Sequence, residues 1–101
     1  MRYFRRLWDE SRGDEFDNWG PATYWFEVAE DGSVLRQFEV YSSGVTLAYD
    51  HTHLTDRYGF LADQELDLSD FAPYEIPREE FERAWRPATA RNRVAPGDDR
   101  A

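Results

Sequence analysis

Residues 23–49 read TYWFEVAEDGSVLRQFEVYSSGVTLAY. Three segments of this stretch are rich in aromatic and β-branched residues, and short glycine-containing sequences separate them at Glu30-Asp31-Gly32 and at Ser43-Gly44. Strand-forming segments joined by such turns are typical of β-hairpins. The stretch therefore predicts three consecutive strands in an antiparallel meander.

The first turn predicts a register for the first hairpin. A three-residue loop at residues 30–32, with its glycine in the left-handed backbone region, is a common hairpin connection. That loop pairs Val28 with Val34 and Phe26 with Arg36. Since side chains alternate across a strand, these four residues are predicted to face the same side of the sheet.

The second turn predicts the same buried side. With Ser43-Gly44 as a two-residue loop, Val40 pairs with Leu47 and Phe38 pairs with Tyr49. A slip of one residue would turn a strand over, so the agreement between the two hairpins supports this assignment. The predicted inward residues are Tyr24, Phe26, Val28, Val34, Phe38 and Val40.

The flanking segments predict an α+β fold. Residues 2–8 alternate and predict a first strand, but each of its sides carries one arginine among apolar residues, so the pattern leaves its inward side open. Residues 78–86 predict a helix, with Phe81 and Trp85 packed on the inward side of the sheet. We expect an antiparallel β-meander of about four strands with a C-terminal helix packed on one face.

The remaining residues predict loops and a tail. Residues 9–22 are acidic and contain glycine and proline, so we expect a loop from which Phe16 and Trp19 fold back on the core as a lid. Residues 50–66 are polar and irregular, and residues 66–71 predict an extended segment or a short turn. Pro73 and Pro77 are expected to prevent a regular element in the region they span. Residues 1–86 form a single domain in this interpretation, and residues 87–101, with one large apolar side chain, are predicted to be disordered.

Composition narrows the class of protein. The chain has 101 residues and no cysteine, which excludes disulfides and thiolate metal sites and is typical of a reducing cytoplasm. It contains no apolar run long enough for a signal peptide or a membrane span. We therefore expect a cytoplasmic protein.

The net charge is −9, and all 12 basic residues are arginine. A negative field of this kind opposes nucleic-acid backbones and anionic membranes, so we expect neither as a partner. It favours a basic protein partner, or it serves solubility alone.

A loop after the third predicted strand resembles a metal site. Asp50-His51-Thr52-His53 and Asp56 supply histidine and carboxylate ligands at short spacing, and His-x-His on an extended segment places both rings on one side. A loop rich in Asp, His and Thr is also ordinary turn chemistry, and the chain has no third histidine. We predict no metal site and no cofactor.

The sequence predicts no enzyme. It contains no Ser/His/Asp set, no phosphate loop and no nucleotide fingerprint. Glu27 and Glu39 fall on the same side of the predicted hairpin, but general acid–base catalysis needs a carboxyl group in an apolar pocket that raises its pKa. An open sheet face does not provide such a pocket.

The outer side of the predicted meander is the candidate partner-binding face. Aromatic anchors ringed by carboxylates suit a basic protein surface. Two alternatives remain: residues 10–22 or 61–74 fold over this face and bury Trp25 against Trp19 or Phe60, or the face forms a homodimer. The predicted partner-binding residues are Trp25, Glu27, Leu35, Gln37, Glu39 and Tyr41.

Arg36 is predicted to face inward, opposite Phe26. A buried guanidinium needs a carboxylate partner. Asp50, or an acid in the run Asp63–Asp70, is the expected partner.

Residues across all the predicted elements carry a resemblance to a known family. They are Tyr3 and Trp8, Trp25–Val28, Asp31-Gly32, Arg36–Tyr41, Gly44, Tyr49-Asp50 and Ile76–Trp85. Together they resemble a largely uncharacterised family of small bacterial domains that occur near polymorphic toxins and are regarded as immunity proteins. The likeness covers about residues 2–86, although Pro77 stands where related sequences are expected to carry Ser or Thr as a helix N-cap.

The resemblance implies a binder of a toxin and no established catalytic residues. With the charge of the chain, it favours a non-enzymatic protein, monomer or homodimer, that occludes a basic toxin domain. The alternatives are a small-ligand or metal-binding module that uses the loop Asp50–Asp56, and a domain with a purely structural role.

Overall fold

The structure, a computed structural model, describes residues 1–93. Its elements are β1 (Arg2–Trp8), a 3-10 helix (Asp17–Trp19), β2 (Ala22–Val28), β3 (Val34–Tyr41), β4 (Thr46–Tyr49), α1 (Leu68–Phe71), a second 3-10 helix (Ala72–Tyr74), β5 (Glu75–Ile76) and α2 (Arg78–Arg93). The strands form one antiparallel sheet in the order β4-β3-β2-β1-β5.

The predicted α+β fold is confirmed, with five strands in the described residues where about four were expected. The additional strand, β5, has two residues and pairs only with Tyr3 and Phe4 of β1. It lies between Pro73 and Pro77, and a segment of this length is too short to display strand alternation.

Both faces of the sheet are covered. We call the face under α2 the helix face, and the opposite face, which packs against α1 and the long loops, the loop face. The buried residues of the helix-face cluster are Tyr3, Phe38, Ala48, Phe81 and Ala88. Those of the two loop-face clusters are Phe4, Phe26, Val28, Val34 and Phe71, and Ala22, Tyr41, Leu47, Tyr49 and Tyr58.

A β-bulge in β3 changes the register of the first hairpin. Gly32 has φ +97° at the end of the loop, and Val28 pairs with Val34, both as predicted. The next pair, however, is Glu27 with Arg36, so the ladder passes over Leu35. A bulge adds one residue to one strand of a pair, which turns over every residue that follows.

The bulge overturns the prediction of a single inward face. The predicted pair Phe26–Arg36 is wrong, since Phe26 lies opposite Gln37. The predicted inward set divides between the faces, with Phe38 and Val40 on the helix face. Its other members, Tyr24, Phe26, Val28 and Val34, lie on the loop face.

The second hairpin uses the same kind of turn as the first. The Tyr41 amide donates to the Val45 carbonyl at 2.9 Å, which leaves residues 42–44 as a three-residue loop that ends in Gly44 at φ +98°. The predicted two-residue loop and its pairs are therefore wrong by one residue: Val40 pairs with Thr46 and Phe38 with Ala48.

β1 contributes an aromatic residue to each face. Tyr3 contacts Phe81 of α2 at a ring-centroid distance of 5.3 Å, and Phe4 contacts Phe71 of α1 at 5.8 Å. Its arginines follow the same alternation, since Arg5 pairs with Glu80 and Arg6 with Asp70. Both sides of β1 are covered, and each carries apolar residues. For this reason the sequence pattern does not indicate a single inward side.

α2 is longer than predicted. Phe81 and Trp85 pack on the sheet as expected, with ring centroids 5.5 and 5.9 Å from Phe38. The predicted end at Arg86 is wrong, because the helix continues through Pro87 to Arg93 and buries Ala88 in the helix-face core. Residues 94–101 of the predicted disordered tail lie outside the described residues.

Candidate functional site

The six predicted partner-binding residues do not form one surface. Trp25 and Glu27 lie on the helix face, whereas Gln37, Glu39 and Tyr41 are buried on the loop face. The prediction that they share an outer face is wrong because Leu35, the sixth residue, is the extra residue of the bulge. The set therefore divides into a packing group and a group that lies beneath the loops.

Trp25 belongs to the packing group. Its ring stacks on Phe38 with centroids 4.9 Å apart, and the Arg5 guanidinium lies 5.5 Å from its centroid. Its indole Nε1 is buried without a hydrogen-bond partner in the described part of the chain. Trp25 therefore lies in the contact between sheet and helix.

Glu27 is held in an ion-pair network with Arg36. Its carboxylate accepts from Arg36 Nε at 2.6 Å and Nη2 at 3.1 Å, and Glu82 of α2 accepts from Arg36 Nη2 at 2.6 Å. The Tyr3 hydroxyl also donates to Glu27, at 2.9 Å. Burial acts to raise the pKa of Glu27, but the hydrogen bonds from Arg36 and Tyr3 outweigh it and hold the pKa below its ordinary value.

Arg36 lies on an inward face, as predicted, but its predicted partners are wrong. Its carboxylate partners are Glu27 and Glu82 rather than Asp50 or the Asp63–Asp70 run, because the bulge brings Glu27 opposite Arg36. The guanidinium also lies 4.9 and 5.1 Å from the ring centroids of Phe81 and Trp85. This network joins β2, β3 and α2.

The loop-face group lines an open cleft of about 470 Å³. Gln37, Glu39 and Tyr41 of β3 form its floor with Ala22 and Tyr24 of β2. One wall comes from Trp8 and residues 10–12, and the other comes from Gly59, Phe60 and Ala62. Such a concave site with a few convergent polar groups is where ligands ordinarily bind.

Glu39 is the most buried charged side chain of the cleft, with 5% of its surface exposed. Its Oε1 accepts from the Tyr41 hydroxyl at 2.5 Å, and its Oε2 accepts from Gln37 Nε2 at 2.8 Å. No ion pair within residues 1–93 involves Glu39. Burial raises the pKa of Glu39, since it disfavours the charged carboxylate more than these donors stabilise it.

Gln37 fastens one wall of the cleft to the sheet. Its Nε2 donates to the Phe60 carbonyl at 3.2 Å, and its Oε1 accepts from the Ala62 amide at 2.8 Å. A third hydrogen bond of the same side chain reaches Glu39. The side chain thus satisfies backbone groups of the loop while it orients the buried carboxyl group.

The opposite wall comes from the loop between β1 and β2. Arg12 pairs with Asp14 at 2.9 Å, lies 5.1 Å from the centroid of Phe16, and places Nη1 3.5 Å from the Tyr41 hydroxyl. Trp19 contacts the Tyr41 ring with centroids 5.1 Å apart. Phe16 and Trp19 fold back on the sheet as predicted, but the residue they cover is Tyr41 and not Trp25.

The tyrosines around Glu39 are neutral donors at physiological pH. Burial and the neighbouring Glu39 carboxyl group raise the pKa of Tyr41. Burial also raises the pKa of Tyr24, which lies beside Tyr41 on the cleft floor. The floor of the cleft therefore presents tyrosine hydroxyl groups beside the buried Glu39 carboxyl group.

The loop Asp50–Asp56 forms a hydrogen-bonded turn beside the cleft. Asp56 Oδ1 accepts from the backbone amides of Tyr58 and Gly59 at 2.9 and 3.1 Å, and from the Tyr49 hydroxyl at 2.9 Å. His53 Nε2 lies 3.0 Å from Asp56 Oδ2. Within residues 1–93, no group of three His, Asp or Glu side chains is arranged to hold a metal ion.

The sequence patterns missed the cleft and its residues Trp8, Arg12 and Tyr24. Gln37, Glu39 and Tyr41 alternate along the strand with apolar residues. This pattern is typical of a strand side that faces solvent, so it predicts exposure. A signal was nevertheless present in the loops: their aromatic residues require an apolar surface on which to pack. The residues that carry this signal are Phe16, Trp19, Tyr58 and Phe60.

No protein-family model, curated protein or solved structure matches the chain. The resemblance to immunity proteins therefore stays a prediction. Among residues 1–93, no helix combines the length and the apolar composition that crossing a membrane requires.

Proposed function

We propose that this protein is a non-enzymatic cytoplasmic binding protein that occludes a basic protein partner, such as a toxin domain. The observation that carries the proposal is the acidic charge of the loops that cover the loop face. Residues 9–17, which continue from one wall, contain five acids and one arginine, and residues 63–70, which continue from the other wall, contain four acids and no base. Acidic loops on one face of the molecule favour the approach of a basic surface.

The charge of the molecule is unevenly distributed, which supports a directed interaction. Residues 78–86 of α2 contain three arginines and three glutamates, so this surface is balanced. Two of the six residues predicted to bind a partner, Trp25 and Glu27, are occupied by contacts with Phe38 and Arg36. The loop side is thus the better candidate for docking.

The cleft favours binding over catalysis. Neither histidine lines it, and the hydroxyl hydrogen-bonded to Glu39 belongs to Tyr41, whose pKa is raised by burial and by the Glu39 carboxyl group, so it is not an activated nucleophile. A catalytic carboxyl group would need a second acid–base partner or an activated nucleophile at hydrogen-bond distance. Occlusion needs only a complementary surface.

The test is affinity capture from source-cell lysate with three baits: the wild-type protein, Glu10→Arg and Glu79→Arg. Glu10 lines the cleft and Glu79 lies on α2; both are exposed glutamates, so the two variants change the charge equally. We expect the wild type and Glu79→Arg to retain the same basic protein, which Glu10→Arg loses. Equal retention by all three baits, or recovery of an acidic protein, would reject the proposal.

A further inference from the structure

An apolar groove lies beside the polar cleft. It measures about 290 Å³ and is lined by Trp8, Tyr24, Phe26, Leu66 and Phe71. Trp8 and Tyr24 also line the polar cleft, so the two concavities share a wall. Trp8 is 42% exposed, and its ring meets Tyr24 edge-on with centroids 5.7 Å apart.

The polar cleft has unused capacity for a cation. Each oxygen of Glu39 accepts one hydrogen bond, and a carboxylate oxygen can accept a further one. The nearest arginine, Arg12, pairs with Asp14 and reaches only the Tyr41 hydroxyl. Glu10 also lines the cleft and adds a second carboxylate, whereas the Trp8 ring already contacts the Arg6 guanidinium at 4.8 Å.

We propose that the cleft and the groove form one two-part site for an extended segment of the basic partner. An arginine or lysine side chain of that segment enters the cleft toward Glu39, and a large apolar side chain two positions away fills the groove. Residues i and i+2 of an extended chain point to the same side, which suits two concavities that share a wall. The assignment rests on the proposed function, and it names the part of the partner that is recognised.

The cleft and the groove differ in the kind of side chain that each one favours. Glu39 and Glu10 favour a positive side chain in the cleft. The groove is lined by apolar and aromatic side chains, and the Arg6 guanidinium lies 4.8 and 4.9 Å from the ring centroids of Trp8 and Phe71. A second guanidinium placed in the groove would lose hydration and would lie close to the like charge of Arg6. The cleft therefore selects the basic side chain of the segment, and the groove selects the apolar one.

The test uses purified protein and three blocked tripeptides: acetyl-Arg-Ala-Leu-amide, acetyl-Arg-Ala-Ala-amide and acetyl-Gln-Ala-Leu-amide. Binding is followed by NMR titration of backbone amides and of the Trp8 indole. We expect the first peptide to bind about tenfold more tightly than each of the others, because each of them lacks one of the two anchors. The shifts should be confined to the cleft and the groove.

Two variants show which concavity binds which side chain of the peptide. Trp8→Ala should remove the advantage of leucine over alanine, and Glu39→Gln should remove the advantage of arginine over glutamine. Glu79→Gln, on the opposite face, is the matched control for the second variant and should leave all three affinities unchanged. A thermal unfolding transition for each variant shows that it is folded before it is titrated.

The outcomes separate the two proposals. If no tripeptide binds at millimolar concentration, or if all three bind equally, the two-part site is wrong even where lysate capture succeeds. If n-butylguanidinium binds as tightly as the arginine–leucine peptide, the groove has no role and the inference also fails. Selective peptide binding without capture of a basic protein would reject the proposed function alone.

Discussion

Arg36 and Glu27 are paired across β2 and β3 because Leu35 is left out of the ladder between them. Without the bulge, Arg36 would follow the regular alternation and lie opposite Phe26, among the apolar residues of the loop face. The bulge moves the guanidinium to the helix face, where it also meets Glu82 at 2.6 Å. One inserted residue thus creates the ion-pair network and places Glu39 in the cleft.

Replacing Arg36 by leucine should destabilise the fold by about 3 kcal/mol, because Glu27 and Glu82 would lose their cation in a partly buried site. Urea unfolding followed by fluorescence measures the change. Arg83→Leu, an exposed position on the same helix, is the control and should change stability by less than about 0.5 kcal/mol. Equal losses in the two variants would mean that the network contributes no more than a surface arginine.

Replacing Glu39 by glutamine should make stability less dependent on pH. Burial raises the pKa of Glu39 in the folded state above its ordinary value of 4.5, so the folded protein binds a proton that the unfolded chain releases. The wild type therefore loses stability as pH rises from about 4.5 to the folded-state pKa. Glu39→Gln lacks this loss, and its stability relative to wild type should increase with pH across that window.

The measurement for Glu39 is chemical unfolding at pH 4, 6 and 8. Glu10→Gln replaces an exposed glutamate of the same cleft and should follow the wild-type profile. A constant difference between Glu39→Gln and wild type at all three pH values would show that Glu39 has the same pKa in both states.

Replacing Asp56 by asparagine should loosen the turn beside the cleft. Burial acts to raise the pKa of Asp56, but hydrogen bonds from Tyr58, His53, Tyr49 and Gly59 outweigh it and lower the pKa. A carboxylate with a lowered pKa stabilises the fold above its unfolded pKa, and this contribution is lost as pH falls through the folded pKa.

At neutral pH we expect Asp56→Asn to cost about 1–3 kcal/mol in the free energy of unfolding, with a smaller cost at pH 3. Amide hydrogen exchange should locate the loss of protection at residues 58 and 59. Asp63→Asn, an exposed aspartate of the following loop, is the control. A cost that does not shrink at low pH would contradict an ionised Asp56 in the fold.

Replacing Pro87 by alanine should stabilise α2. Proline in a helix interior has no amide proton to donate and crowds the preceding turn, whereas alanine restores the hydrogen bond. We expect a gain of about 1–3 kcal/mol, with increased far-UV helicity. Pro77→Ala is the control, because Pro77 immediately precedes the helix, where an amide proton is not needed. Equal effects at both positions would mean that Pro87 does not strain α2.

The sequence predicted those features that depend on repeated local patterns. The strands of the meander follow from alternation, the left-handed Gly32 from the hairpin loop, and the packing of Phe81 and Trp85 from helical spacing. Each of these rests on several residues that indicate the same structure, so one irregularity does not remove the signal.

The features that failed depend on single residues or on distant contacts. A bulge at Leu35 leaves no periodic signal, yet it decides which face receives Phe38 and which receives Glu39. The cleft also requires two segments distant in sequence, residues 10–12 and residues 59, 60 and 62, to lie on opposite sides of the same part of the sheet. Local patterns do not contain this relationship. The burial of Glu39 follows from the bulge and from these loops together. The polar series Gln37, Glu39 and Tyr41, on one side of the strand, therefore predicts exposure although Glu39 is buried.

The bulge also has a consequence for how the length of β3 can change. If Leu35 were deleted, Val34 would still pair with Val28, Arg36 would still pair with Glu27, and every later residue would keep its face, since the ladder already omits Leu35. Residues 37–40 contain no unpaired residue that could be lost. A deletion there would move the residues on one side of the deletion from the helix face to the loop face, and the reverse. β3 can thus lose one residue at Leu35, whereas the loss of a residue at positions 37–40 would place apolar and polar side chains on the wrong faces and disrupt both cores.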